Sequence, residues 1–230
     1  RNHSRDLPKL QEWIYHLSGS YSKLELMNFI AQWPELSHTK LTFLEWWSIY
    51  DIDQYLTKYN FFNAGVYLQK VQDQQFIEKM RSEFSFLALL PEGKSLEGFL
   101  YPDTYFLDQQ WNSIEKVIKM QLENFDNKVW KKYRDQFITF TPQWLDLTNY
   151  RALILASVIE NEEKNQTNKP LIAGIFINRL LAGMRLDADV TLCYWLKLPY
   201  SQCRDAIPSN LSDATNLYNT RQNIGLMPTP

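Results

Sequence analysis

Glycine is scarce, with 7 in 230 residues, and none stands in a Gly-x-x-x-x-Gly-Lys or Gly-x-Ser-x-Gly arrangement. Neither a phosphate-cradling loop nor a nucleophile elbow is therefore available. Histidine is scarcer still. His3, His16 and His38 all precede residue 40 and none is paired at ligand spacing, so metal chemistry has no support and no cofactor is expected. The two cysteines, Cys193 and Cys203, allow one disulfide in an oxidising compartment or two buried thiols, but no paired metal-ligand set. No apolar run approaches the roughly 18–20 residues needed to cross a bilayer, and the longest, Ala152 to Ile159, is interrupted by Ser157. Basic blocks are also missing. With 24 Lys and Arg against 26 Asp and Glu, the formal net charge is −2, and nucleic acid is not an expected partner.

Apolar residues make up 45% of the chain, ample for a core, and its length suits one large domain or two small ones. Aromatic residues reach 15%. Most should pack the core, yet Trp and Tyr also stack on the apolar faces of sugars while their polar tips hydrogen-bond. Arg1 opens the chain and no charged-then-apolar leader follows, so we expect a piece of a longer protein, with any membrane anchor outside it.

The pattern along the chain reads as α+β. Helix-like spacing covers Lys23 to Gln32, Asp51 to Lys58 and Val66 to Arg81, with a β-leaning run from Leu41 to Phe43. From Glu92 to Asp108 the periodicity breaks around Gly93, Gly98 and Pro102, which predicts ordered loop or short strand and places a domain boundary just before it. A long amphipathic helix is expected from about Trp111 to Arg134, its apolar face marked by Ile114, Val117, Ile118, Gln121, Leu122 and Phe125. Thr141-Pro142 announces another start. Thr148 to Lys164 reads as a helix buried on most sides. The next is bracketed by Thr167 or Asn168 as cap, Pro170 in the first turn and Gly183 at the stop, with Ile172, Ile175, Phe176 and Leu180 on one face.

Glu160 carries the strongest chemical signal. It follows directly on the apolar run, where desolvation raises a carboxyl's pKa, and near a helix C-terminus the macrodipole and the neighbouring Glu162 and Glu163 favour the protonated form. That is the profile of a general acid. The alternative is a solvated helix end formed by the three glutamates. Asp187 and Asp189 offer a second acidic pair, or else a turn with self-capping aspartates.

Three blocks, in order and spacing, resemble the YceG-like family, the endolytic murein transglycosylases (MltG). Leu96-Glu97-Gly98-Phe99-Leu100-Tyr101-Pro102-Asp103-Thr104-Tyr105 is similar to the family's Leu-Glu-Gly-Tyr-Leu-Phe-Pro-Asp-Thr-Tyr signature. Leu155 to Glu162, continuing through Phe176-Ile177-Asn178-Arg179-Leu180 to Gly183-Met184-Arg185-Leu186, resembles the catalytic segment, with Glu160 on the catalytic glutamate. Tyr218-Asn219-Thr220 and Gly225-Leu226-Met227-Pro228 resemble a pattern beside the family's cleft. More weakly, Gly19-Ser20-Tyr21 and Leu41 to Tyr67 are similar to a LysM-like module associated with peptidoglycan binding.

The resemblance implies a LysM-like α+β module over 1–90 and a helix-rich α+β catalytic domain over 91–230, without its last part. It implies a lytic transglycosylase that cuts the bond between N-acetylmuramic acid and N-acetylglucosamine and leaves a 1,6-anhydro end. Glu160 would be the catalytic acid, Asp187, Asp189, Thr191, Tyr218, Asn219 and Thr220 would contact or position the glycan, and Glu97, Asp103 and Tyr105 would either line the same cleft or staple the loop that joins the two domains. Such a protein works on the extracytoplasmic face of a bacterial membrane, with peptidoglycan strands as substrate and peptidoglycan synthases as candidate partners. A non-catalytic glycan-binding scaffold is the alternative. The chain departs from the family pattern at Asp187, Ala188, Val190, Arg221, Met227 and Thr229, where Gln, Thr or Ser, Pro, Tyr, Pro and Gly are usual.

Overall fold

The computed structural model describes residues 20–23, 25–26, 39–107, 113–139, 148–198 and 200–230. The helix expected over Lys23 to Gln32 falls mostly outside these residues. The three histidines, Gly19, Asp108, Trp111 and the Thr141-Pro142 start fall wholly outside them.

Strand β1 (Thr39–Thr42) pairs antiparallel with β2 (Thr104–Leu107) in a two-stranded sheet, with Leu41 opposite Tyr105. The Phe43 N–H donates to the Asp103 carbonyl at 3.0 Å and carries the ladder one residue further. This pairing crosses residue 90, where the break in periodicity places a domain boundary, and the buried apolar cluster is continuous across it from Leu41 to Met227. A helix-rich α+β architecture results.

Helix α1 (Ile49–Lys58) starts in a reciprocal capping box. Ser48 accepts from the Asp51 N–H, and Asp51 accepts from the Ser48 N–H at 3.0 Å. The run expected as one helix from Val66 to Arg81 is two, α2 (Val66–Gln72) and α3 (Gln74–Glu83). Asp73 leaves the helical region at ψ 107°, and its carboxylate accepts from the Gln75 and Phe76 N–H groups. A good N-cap thus overrides an uninterrupted apolar period.

The amphipathic helix expected from Trp111 begins, in the described residues, at Ser113, whose hydroxyl caps α4 (Ile114–Phe125). Val117, Ile118, Gln121, Leu122 and Phe125 are buried as the period predicted. A π-helical turn (Asp126–Trp130) then feeds α5 (Lys131–Thr139). Phe99 sits among Phe86, Phe125 and Tyr150, with ring centroids 5.4–6.4 Å away. The segment around Gly98 is therefore moored in the core by an aromatic anchor.

Helix α6 (Asn149–Glu162) is not buried on most sides as expected. Tyr150, Ile154, Leu155 and Val158 are buried, whereas Ala156 is exposed, because the helix packs on one side and borders open space on the other. Helix α7 (Lys169–Leu181) has Asn168 at its cap position and Pro170 in its first turn. It closes in a Schellman motif: Met184 N–H donates to the Arg179 carbonyl, Gly183 N–H donates to that of Leu180, and Gly183 takes φ +63°. Of its expected apolar face only Phe176 is buried, and Ile175 is exposed. A 3-10 turn (Asp189–Thr191), α8 (Leu192–Trp195) and α9 (Tyr200–Asn210) follow, with Cys193 and Cys203 joined in a disulfide.

Candidate active site

Several sequence-distant segments meet around a cavity of about 290 Å³. The β1–α1 connection contributes Phe43 to Ser48, and the motif after the expected boundary contributes Glu97, Gly98 and Leu100 to Pro102. The last two turns of α6 add Ser157, Val158, Glu160 and Asn161. Ile52, Val190, Thr191, Tyr194, Tyr218, Met227 and Pro230 complete the lining. Local pairing explains the first juxtaposition, since β1 and β2 end together and release 43–48 and 100–102 side by side.

Glu160 lies in the last turn of α6 and is partly buried. Burial is the main influence pushing its carboxyl above the ordinary range, opposed by the charge of Lys169 and assisted by Glu45. The neighbouring glutamates do not act as the sequence suggested. Glu163 turns away to accept from the Asn165 N–H at 2.8 Å and the Asn168 amide at 3.0 Å. Glu162 is itself pushed up, by burial and then by Asp189, with Arg179 opposing.

Glu97 lines the same cavity and is only 9% exposed. Burial raises its carboxyl to about 7, even though it accepts hydrogen bonds from the Ile49 N–H, Tyr194 and the Gly98 N–H, and Asp51 adds repulsion. The bond from Ile49, at 2.9 Å, places this carboxyl at the N-terminus of α1. Glu97 thus lines the cavity and also ties the motif to the first half of the chain. Gly98 beside it adopts φ +86°, and a Cβ there would meet Pro230 at 2.7 Å and Leu153 at 2.9 Å, so only glycine fits without displacement.

Of the residues singled out from the sequence, Glu160, Glu97, Thr191 and Tyr218 line the cavity. Asn219 and Thr220 lie buried beneath it. The Asn219 side-chain amide donates to the carbonyls of Asn210, Leu211 and Asp213, while Thr220 Oγ1 accepts from the Ala188 N–H and contacts Thr191 Oγ1 at 3.2 Å. The Thr220 bonds hold the 188–191 turn in place, and those of Asn219 hold the 210–213 segment. Asp187 and Asp189 stay outside the lining, where Arg221 ion-pairs with both. Their partner is one of the departures from the family pattern, and it neutralises a pair that would otherwise repel. Tyr105 is buried under the sheet, with its hydroxyl donating to the Tyr101 carbonyl at 2.6 Å.

Sequence reasoning missed Glu45, Trp46 and Tyr194. Tyr194 packs between Tyr50 and Tyr218 at 5.3 and 5.0 Å. No spacing signal marks it, because its role arises only when α8 folds against α1. Among the described residues no cluster of His, Cys, Asp and Glu is arranged to hold a metal ion.

Comparison with known proteins agrees with the motif reading. The model of the YceG-like family matches residues 2–230. An endolytic murein transglycosylase of Streptococcus pneumoniae (strain D39) is 33% identical over 177 residues, covering 73% of this chain and 30% of the relative. That of Bacillus subtilis (strain 168) is 27% identical over 168 residues, covering 71% of this chain and 44% of the relative. The chain therefore spans less than half the length of these relatives. A crystal structure of a yceG-like protein from Listeria monocytogenes superposes with a TM-score of 0.67 at 28% identity, over 83% of this chain and 61% of that one. The chain belongs to the YceG-like family.

Proposed function

We propose that this chain is the glycan-cutting part of a lytic transglycosylase acting on peptidoglycan. One observation carries the reading: Glu160, a half-buried carboxyl held toward its protonated form at a helix C-terminus, lines a cavity walled by Trp46, Trp47, Tyr101, Tyr194 and Tyr218. The names of the curated relatives, endolytic murein transglycosylase, point the same way.

In this mechanism Glu160 donates its proton to the oxygen bridging N-acetylmuramic acid to N-acetylglucosamine. The bond from the anomeric carbon to that oxygen breaks, and an oxocarbenium-like centre forms. The C6 hydroxyl of the same muramic acid then attacks the anomeric carbon, and its proton passes to the Glu160 carboxylate. A 1,6-anhydro ring closes, the acid is restored and no water is consumed. One carboxyl is enough for this cycle, which suits a site where Glu97 is engaged in hydrogen bonds.

Thr191 and Tyr218 contact the glycan. Thr220 positions the turn that carries Thr191, and Asn219 holds the 210–213 segment. Asp189, held by Arg221, acts on Glu162 rather than on the sugar, and Asp187 and Tyr105 serve the frame. We also propose that residues 1–90 act as the LysM-like glycan-binding part and 91–230 as the catalytic part, the two packed through one continuous core, with Glu45 and Trp46 of the first and Glu160 of the second lining one cavity. The Cys193–Cys203 disulfide suits an oxidising, extracytoplasmic setting. Membrane attachment and recruitment by peptidoglycan synthases belong to the same proposal. Among the described residues no helix is long and apolar enough to cross a membrane.

The test incubates the chain and its Glu160→Gln variant with purified peptidoglycan and analyses the products by mass spectrometry. Anhydromuramyl ends from the parent alone are expected. Reducing ends would indicate hydrolysis, with Glu45 as the second carboxylate, and binding without product would identify a scaffold.

A further inference from the structure

Trp46 occupies a costly position. Its φ of 61° lies in the left-handed region, which a bulky side chain seldom adopts. The core does not compensate, since the residue is 39% exposed, whereas the adjacent Trp47 packs against Tyr55 at 5.3 Å. What the indole does meet is Lys164, whose ammonium lies 5.5 Å from the ring centroid. Lys164 follows the end of α6, the helix that carries Glu160 in its last turn. The turn at 44–47 and the helix of the acid are thus bridged by a cation–π contact, and both Trp46 and Glu160 line the cavity. Glu45, next to Trp46, comes close enough to raise the Glu160 carboxyl.

Strained backbone that exposes a large aromatic beside a candidate acid is the pattern of a functional residue, because packing alone would select glycine or a small polar residue there. The flat apolar face of an indole matches the C–H face of a pyranose ring. We propose that Trp46 is the platform on which a sugar ring of the glycan strand stacks beside Glu160, its plane fixed by Lys164. This rests on the lytic reading above and adds the residue that selects a glycan. The competing role is a structural clip, in which the indole serves only to pin the turn through Lys164.

The experiment works in the Glu160→Gln background, so that ligand is not consumed. A tetrasaccharide of alternating N-acetylglucosamine and N-acetylmuramic acid is titrated calorimetrically into chains carrying Trp46, Trp46→Phe or Trp46→Gly, and the Tm of each is recorded. Trp46→Gly is expected to weaken binding about tenfold and Trp46→Phe by about threefold or less, with the Tm of the glycine variant unchanged or raised. Equal affinity for Trp46 and Trp46→Gly overturns the platform and leaves the lytic reading standing. If the Tm of Trp46→Gly falls, Trp46→Phe decides, and a loss as large as that of glycine overturns the platform. Weakened binding by Trp46→Gly, together with no anhydro product from the parent, sinks the lytic reading but keeps the platform. No binding by the chain that retains Trp46 sinks both.

Discussion

Burial sets the Glu160 carboxyl above its ordinary range, and two charges then pull it in opposite directions. Lys169 favours the carboxylate and Glu45 disfavours it. A general acid must be protonated, so product formation should fall as pH rises through its pKa. Lys169→Gln should therefore move the alkaline limb of the pH–rate profile to higher pH, and Glu45→Gln should move it lower. Opposite shifts in initial rates across a pH series are the expected result, and shifts of the same sign would refute the assignment. Glu97 makes a separate prediction, about stability. Its folded value of about 7 exceeds the ordinary 4.5, so the folded state holds this proton more tightly than the unfolded chain does. The contribution is favourable below pH 4.5 and is lost as pH rises to 7, by about 3 kcal/mol in all. Urea titrations at pH 4.5 and 7.5 should show that loss in the parent and not in Glu97→Gln. The raised carboxyl of Glu160 was legible in the sequence, because an apolar helical run leading into it announces desolvation. Its modulators were not, since Glu45 lies 115 positions away and only the fold brings it near.

At the scale of elements, the tightest join is where the turn at Gly98 meets Leu153 of α6 and Pro230. Gly98→Ala should cost about 2–3 kcal/mol through backbone strain and overpacking together. Gly93 has a comparable φ of +75° but open space where a Cβ would stand, and Gly93→Ala should cost only about 1 kcal/mol. Denaturant midpoints of the two variants separate the close approach from the conformational term. Helix edges divide in the same manner between legible and hidden. Pro170 and Gly183 marked both ends of α7 because each acts through its own backbone. Asp73 was read through, since the apolar period continues past it and only its two accepted N–H bonds reveal a break. Ile175 was placed in the core by its spacing, but α7 rests on a single partner face and leaves that position exposed. The Asp187–Arg221–Asp189 group was hidden as well, because ion pairs 32 and 34 residues apart leave no local trace.

For the whole molecule, the buried cluster runs unbroken from β1 through the motif and α6 to Met227. One cooperative unfolding transition is therefore expected, with near-ultraviolet and far-ultraviolet circular dichroism coinciding. Two resolved transitions would mean that the parts on either side of residue 90 fold independently. The Cys193–Cys203 bridge closes a loop of sequence separation 10, and reducing it should lower stability by about 3 kcal/mol, read as a fall in Tm with dithiothreitol.

The cavity is drawn from residues 43–52, 97–102, 157–161, 190–194 and 218–230, which has a consequence in time. A chain made from its N-terminus presents the Trp46 wall more than a hundred residues before Glu160 exists, and the wall bearing Tyr218 comes later still. Until residues 218–230 pack, one wall of the cavity that Glu160 lines is missing. The order of synthesis thus leaves the cavity, and with it the activity proposed for Glu160, incomplete until residues 218–230 have been made.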